Sequence, residues 1–156
     1  LESTPAISAS ISPAQFLLTR GYLLMPRVVF DPSVSSIVVD LLLEAAAGRS
    51  SLVIPVVLDT GASLTILATD IMARMGYDPA NPNLERQRII TGSGIEYAPR
   101  QQCATAIGLK VTNLDVLCHD LPPESGVDGL LGLNFFRQFK LTIRFRKGII
   151  DLNRER

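Results

Sequence analysis

The amino-acid sequence predicts an all-β domain with one short helix. Short runs of β-branched and aliphatic residues recur along the chain, separated by turn-forming residues. In the central part of the chain, only one stretch has apolar residues at helical spacing. The 156 residues, of which 47% are apolar and 19% charged, suffice for one domain with a buried core.

The first 21 residues are predicted to form an extension that precedes the domain. Residues 1–10 are rich in Ser, Ala and Pro, as is typical of a linker. A short helix is predicted after them, with Ser12 as its N-cap, Pro13 as its first residue and Gly21 as its end. We therefore assign residues 1–21 to a linker-like extension and residues 22–153 to the domain.

The first half of the domain is predicted to contain three strands followed by the helix. The strands are Val28–Phe30, Ser36–Glu44 and Leu52–Leu58. Pro55 has no amide hydrogen, so we expect its strand to lie at a sheet edge there, or to be regular only from Val56. The helix is predicted over Ala68–Gly76, where three apolar residues recur at helical spacing before a terminal glycine.

The second half of the domain is predicted to consist of hairpins and closing strands. The segments are Arg88–Ile90 with Ile95–Tyr97, Ala104–Leu109 with Val111–Leu117, and finally Leu141–Phe145 with Gly148–Leu152. The segment that joins the first pair is Thr91, Gly92, Ser93 and Gly94. Its two glycines predict a hairpin tip that bends easily.

Composition argues against several classes of partner and site. Lys+Arg and Asp+Glu both number 15, so the zero net charge gives no electrostatic signature of nucleic-acid binding. Two cysteines, Cys103 and Cys118, and one histidine are too few for a disulfide framework or a typical zinc site. No run reaches the roughly 18 apolar residues of a membrane span. The sequence leaves the compartment open, including a soluble domain within a larger or membrane-anchored precursor.

The chemistry is predicted to lie at Asp59, directly after the apolar run Val56–Leu58. An acid at the end of a buried strand lies where desolvation acts on its proton affinity. Gly61 allows a tight backbone turn, and Thr60 supplies a hydroxyl that can link the turn to a neighbour. Three residues alone are a weak signal, because Asp-Thr-Gly also occurs in structural turns.

The surrounding sequence makes the signal specific. The blocks Leu58–Leu67, with Asp59-Thr60-Gly61-Ala62-Ser63, and Val127–Phe136, with Leu130-Leu131-Gly132, flank the glycine-rich segment Thr91–Gly94. In this order they resemble the retropepsin-like aspartic proteases, which include the retroviral enzymes and their cellular and bacterial relatives. The resemblance covers roughly Val53 to Leu152. It implies a closed or partly open β-barrel lobe with one short helix.

The resemblance also implies a mechanism that needs two copies of the chain. Only one Asp-Thr-Gly sequence is present, so a second Asp59 would come from a homodimer. Two carboxylates about 3 Å apart share a proton; one activates a water and the other protonates the peptide carbonyl. The resemblance implies that Thr60, Gly61, Ala62 and Ser63 support the acids. It implies that Thr91–Gly94 is a flap over a protein or peptide substrate, and that no metal or cofactor takes part.

Two points depart from this picture or compete with it. The terminal residues Asn153–Arg156 are polar and poorly suited to the sheet that joins retroviral dimers, so we expect an interface built differently or partly from the N-terminal extension. The alternative function is a non-catalytic peptide-binding or dimerisation domain on the same fold. A nucleophilic hydrolase is disfavoured, because Cys118 and His119 are neighbours on a predicted strand and point to opposite faces.

Overall fold

The computed structural model describes residues 27–155, and within this range ten strands form two sheets. The predicted extension 1–21 and its helix lie outside the described residues. The strands are β1 Arg27–Val29, β2 Val38–Glu44, β3 Ser51–Leu58, β4 Thr65–Leu67, β5 Arg86–Thr91, β6 Gly94–Ile107, β7 Leu109–Cys118, β8 Gly129–Leu131, β9 Phe139–Arg144 and β10 Ile149–Arg154. The prediction of a mostly β domain is confirmed.

Six strands form a closed barrel in the order β2-β3-β8-β4-β7-β6. The barrel closes because β6 pairs back onto β2, with Ala106 opposite Leu42 and Thr105 opposite Leu43. β5 pairs only with the outer part of β6. The burial of β2 alternates along the strand, as expected when one face of a strand lines a core.

The core fills the barrel and extends beneath the second sheet. Its largest fully buried side chains include Leu41 and Leu43 of β2 and Phe135, which contacts both Phe136 and Phe139 through its ring. The second sheet, in the order β1-β10-β9, adds Ile150 and Leu152 to the same core. Burial of this apolar surface is the dominant stabilising contribution to such a domain.

The prediction of a single helix is wrong. The predicted helix exists as α1, Thr69–Arg74, and Gly76, in the left-handed region at φ +82, lies directly after its C-cap. A second helix, α2, covers Leu133–Phe136. Four residues span about one turn, which is too short to show helical periodicity in the sequence. No helix among residues 27–155 is long and apolar enough to cross a membrane.

The strand register shows how Pro55 is accommodated in β3. β3 is regular from Ser51, and Pro55 lies opposite Asp40 of β2. The Pro55 carbonyl accepts a hydrogen bond from the Asp128 amide just before β8 begins. The missing proline donor therefore falls where the ladder between β3 and β8 has not yet started.

The second hairpin turns at Gly108, at φ +85. The predicted strands Ala104–Leu109 and Val111–Leu117 leave Lys110 as the turn, so the observed turn lies two residues earlier.

Candidate active site

Asp59 lies at the carboxyl end of two parallel strands. It follows β3 directly, and β3 pairs in parallel with β8 so that Leu58 lies beside Leu131. The Asp59 amide continues this ladder by donating to the Leu131 carbonyl at 3.0 Å. The backbone on both sides of the acid is therefore fixed by the barrel, and Asp59 itself is half-buried.

The turn after Asp59 orients its carboxylate. The Gly61 amide donates to Asp59 Oδ1 at 2.8 Å, and the Ala62 amide donates to the Asp59 carbonyl at 3.2 Å. A Cβ on Gly61 would lie 3.1 Å from that same Oδ1, so a side chain at this position would crowd the carboxylate. Among the described residues, only Oδ1 of this carboxylate accepts a hydrogen bond, and Asp59 is one of the residues that line the adjoining cleft.

The block with Leu130, Leu131 and Gly132 packs against the loop that follows Asp59. The Leu133 amide donates to the Ala62 carbonyl at 2.8 Å. A Cβ on Gly132 would lie 2.6 Å from the Leu64 carbonyl oxygen and 2.9 Å from that of Ala62. These distances are below van der Waals contact, so glycine is required here for the two backbones to approach. The structure thus brings together the two blocks predicted from sequence.

Thr65 and Asn134 hold this junction together, and sequence reasoning missed both. Asn134 Oδ1 accepts from the Thr65 amide at 2.8 Å and from the Thr65 hydroxyl at 2.9 Å. The same hydroxyl accepts from the Gly132 amide at 3.1 Å, and Asn134 Nδ2 donates to the Asp115 carbonyl at 2.6 Å. The available signal was a polar residue inside each apolar block, since a buried polar side chain needs partners.

The other residues predicted to support Asp59 lie on the surface of the turn. Thr60 and Ser63 are exposed, and Ala62 is half-buried. Ser63 makes no side-chain hydrogen bond to Asp59; instead its carbonyl accepts from the Asn134 amide at 3.3 Å. Within residues 27–155, the Thr60 side chain forms no hydrogen bond and is exposed at the surface of the turn.

Asp59 borders a cleft of about 380 Å³. Its walls include Val57 and Leu58 of β3 and, from the β1–β2 connection and the turn after β9, Phe30, Val34, Ile37 and Phe145. Phe145 is 64% exposed and Val34 52% exposed, and Ser35 and Ser36 also line the cleft, so it is open and has both apolar and polar walls. A carboxylate beside such a cleft can act on a bound molecule whose side chains occupy it.

The predicted flap segment is a hairpin tip that the structure does not bring into this cleft. Gly92 and Ser93 connect β5 to β6, and Thr91 lies opposite Gly94. Nearby on the hairpin, Ile90 is 81% exposed and Tyr97 is 62% exposed. The residues that line the cleft come from other parts of the chain.

The two cysteine thiols are buried and have low nucleophilicity. Cys103 and Cys118 are both free. Burial raises the pKa of Cys103 to about 12 and that of Cys118 to about 11. A thiol with a raised pKa holds little thiolate at neutral pH and is a poor nucleophile. Within residues 27–155, no cluster of three His, Cys, Asp or Glu side chains is placed to bind a metal.

Comparisons with known proteins agree with these features. The family profile described as "gag-polyprotein putative aspartyl protease" matches residues 51–138, more than half of the chain. A solved structure, that of a retropepsin-like aspartic protease from Rickettsia conorii, is similar at a TM-score of 0.57 and 21% sequence identity. The match covers 82% of this chain and 89% of that chain, and at this identity it shows a shared fold. No curated protein matches the chain.

Proposed function

We propose that this chain, which belongs to the family of retropepsin-like aspartic proteases, is an endopeptidase that is active as a homodimer. The observation that carries the proposal is the geometry of Asp59. Its backbone is tied to β8, its Oδ1 is held by the Gly61 amide, and its Oδ2 is left for a reaction partner. A structural turn would need no such acid at the edge of an open cleft.

A second copy of Asp59 is the proposed source of the second acid. The chain has one Asp-Thr-Gly sequence. Asp128, before Gly129, is part of the support instead, because its carbonyl accepts from the Ala68 amide and its amide donates to Pro55. Thr60 and Gly61 are exposed at the tip of the turn, where a symmetry-related turn can contact them. The Thr60 hydroxyl is then available to brace the two loops.

The proposed reaction follows from placing two carboxylates side by side. Like charges about 3 Å apart cannot both ionise at low cost, so the pair holds one proton. The ionised Asp59 takes a proton from a bound water as the water oxygen bonds to the peptide carbonyl carbon, and the other, protonated Asp59 donates its proton to the carbonyl oxygen. The C–N bond of the resulting tetrahedral intermediate then breaks as the nitrogen takes up the proton that came from the water. A hydroxyl of the intermediate returns a proton to the second carboxylate, so the pair again holds one proton. The Gly61 amides keep both carboxylates oriented for this exchange.

The hairpin tip at Thr91, Gly92, Ser93 and Gly94 is the proposed flap. Its support is an exposed apolar face with Ile90 opposite Ile95. Such a face is costly to leave in water, and an extended peptide bound over Asp59 would cover it. Gly94 has φ +125, a conformation that favours glycine and lets the tip turn tightly.

The dimer interface is proposed to differ from a sheet made by interleaved chain ends. β10 pairs along its whole length with β9, and its Ile149–Asp151 part also pairs with β1. Since the rest of its second edge ends in the polar residues Asn153 and Arg154, we expect a partner to meet mainly other surfaces, with the extension 1–21 as a proposed contributor. The domain boundary at residues 22–153 remains part of the same proposal.

The decisive experiment compares the purified chain with Asp59→Asn on a mixed peptide pool from about pH 3 to 8, a range that brackets a coupled carboxylate pair. Asparagine retains an oxygen for the Gly61 amide, so the fold should persist, while acid–base catalysis is lost. We expect cleavage to fall by about 10³-fold or more. Below the dissociation constant of the dimer, wild-type activity should rise with the square of protein concentration.

As the control, the thermal unfolding midpoints of the two proteins should be the same. Full activity in Asp59→Asn would refute the proposal. If neither protein cuts peptides at concentrations where sedimentation shows a dimer, the chain is better explained as a peptide-binding or dimerisation domain.

A further inference from the structure

The β5–β6 hairpin extends beyond the barrel wall. Residues Arg100–Ile107 of β6 pair with β7, but Gly94–Pro99 pair only with β5. β7 ends at Cys118, one residue before His119. The outer hairpin is thus a two-stranded ladder, and its position relative to the barrel depends on the side chains that tie it back. Two-stranded ladders alone are marginally stable in water.

The hairpin has two different faces. Directly opposed residues share a face, so Ile90 and Ile95 lie on one side with Tyr97, and all three are exposed. Ile89 and Glu96 are opposed on the other side and are half-buried. The second face is the one that is turned toward the protein.

Glu96 connects the hairpin tip to the barrel through its two carboxylate oxygens. Oε1 accepts from the Thr91 hydroxyl at 2.9 Å, and that hydroxyl in turn accepts from the Ser93 amide at 3.2 Å. Oε2 lies 3.6 Å from Nε2 of His119. The hydroxyl also lies 3.2 Å from the Gly94 carbonyl, but it has one hydrogen and the shorter bond is to Glu96.

His119 is the fixed end of this connection. Its amide donates to the Leu67 carbonyl at 3.0 Å, which anchors it to the end of β4. Its side chain is 24% exposed, whereas that of Glu96 is 41% exposed. The neighbouring carboxylate of Asp120 is occupied by the Thr69 amide at 2.8 Å, and Asp70 is exposed on the first turn of α1. Within 4.0 Å, Glu96 is the only acidic partner of His119 in residues 27–155.

We propose that Glu96 is a positioning residue for the flap, holding the tip through Thr91 and the barrel through His119. This inference rests on the proposed function of the hairpin. Together the two contacts limit how far the tip can move relative to the barrel.

The expected effect is modest because both groups are partly exposed. Exposed ion pairs of this kind shift an equilibrium by up to about fivefold. We therefore expect an increase of two- to fivefold in KM when the pair is removed, with kcat unchanged because neither group contacts the reacting atoms.

The test uses Glu96→Gln, His119→Gln and the double variant, with Glu124→Gln as a matched control on the exposed 3₁₀ turn Pro123–Ser125. Glutamine at position 96 keeps an oxygen for the Thr91 hydroxyl and removes only the charge. Both single variants should raise KM and speed amide hydrogen exchange in residues 89–96. The double variant should add nothing further, and Glu124→Gln should match the wild type in both measurements.

Unchanged exchange in residues 89–96 of Glu96→Gln and His119→Gln would overturn the inference. Hydrogen exchange needs no substrate, so it separates this inference from the proposed function. If the variants exchange faster but the wild-type chain cleaves no peptide, the tether is supported and the protease function is refuted. If cleavage depends on Asp59 but all variants exchange at the same rate, the protease function is supported and the tether is refuted.

Discussion

The turn that carries Asp59 and the hairpin tip at Thr91–Gly94 are both rich in glycine, yet the two regions are built in opposite ways. Around the turn, backbone groups of Asp59, Ala62 and Ser63 are hydrogen-bonded to the β8–α2 segment. In the described part of the chain, the hairpin tip is held by its own ladder, by the hydrogen bonds of the Thr91 hydroxyl and by the contacts of Glu96. The same residue type therefore serves close packing in one region and turn formation in the other.

The rigid and the adaptable parts of the molecule are therefore separate. Thr65 and Leu131 beside the turn are fully buried, whereas Ile90 on the hairpin is 81% exposed. Segments with few buried contacts open at lower free-energy cost than core strands. An acid that must keep its geometry belongs in the first environment, and a segment that must admit a substrate belongs in the second.

The sharpest way to break the comparison is the same substitution in both regions. Gly132→Ala places a Cβ 2.6 Å from the Leu64 carbonyl, where neither backbone can retreat easily. We expect a loss of about 3 kcal/mol or more in the free energy of unfolding, together with loss of activity. Gly92→Ala is the control, because nothing lies within 4 Å of its Cβ and it should be nearly neutral. Denaturant unfolding measures both, and equal losses would refute the contrast.

A smaller loss is expected from Asn134→Ala. The substitution leaves the Thr65 amide and the Asp115 carbonyl without their partner at a half-buried junction. We expect a decrease of about 2 kcal/mol in the free energy of unfolding. Asn83→Ala, in an exposed loop, provides the comparison and should change little. A thermal midpoint in Asn134→Ala as high as that of the control would show that the junction does not depend on this side chain.

The smallest effect on stability is expected from Ile90→Ser on the hairpin. Its side chain is mostly in water already, so the free energy of unfolding should stay within about 0.5 kcal/mol of wild type. If the hairpin is the flap, KM should nevertheless rise several-fold, because the apolar contact with substrate is lost. Val53→Ser, at another exposed strand position, should change neither quantity. A destabilisation above about 1 kcal/mol would mean that Ile90 packs on the domain.

Much of the fold was predictable because its strands and turns depend on short stretches of sequence. The predicted segments Val28–Phe30, Ser36–Glu44 and Leu52–Leu58 correspond to β1, β2 and β3 within about two residues at each end. The hairpin at Thr91–Gly94 was also placed correctly. Helix α2 was missed, since a four-residue helix has too few turns to display a period.

The candidate site also has features that depend on neighbouring residues in the sequence and features that depend on distant ones. From the residues alone it was predictable that Asp59 follows a buried strand, that Gly61 permits the turn and that a Leu-Leu-Gly block lies further along the chain. The close approach of Gly132 to Leu64, the hydrogen bonds between Asn134 and Thr65 and the contact of Glu96 with His119 are visible only in the folded barrel. These contacts join residues far apart in the chain. Which distant residues meet is decided by barrel closure and strand register, because a shift of one residue would turn each side chain to the opposite face.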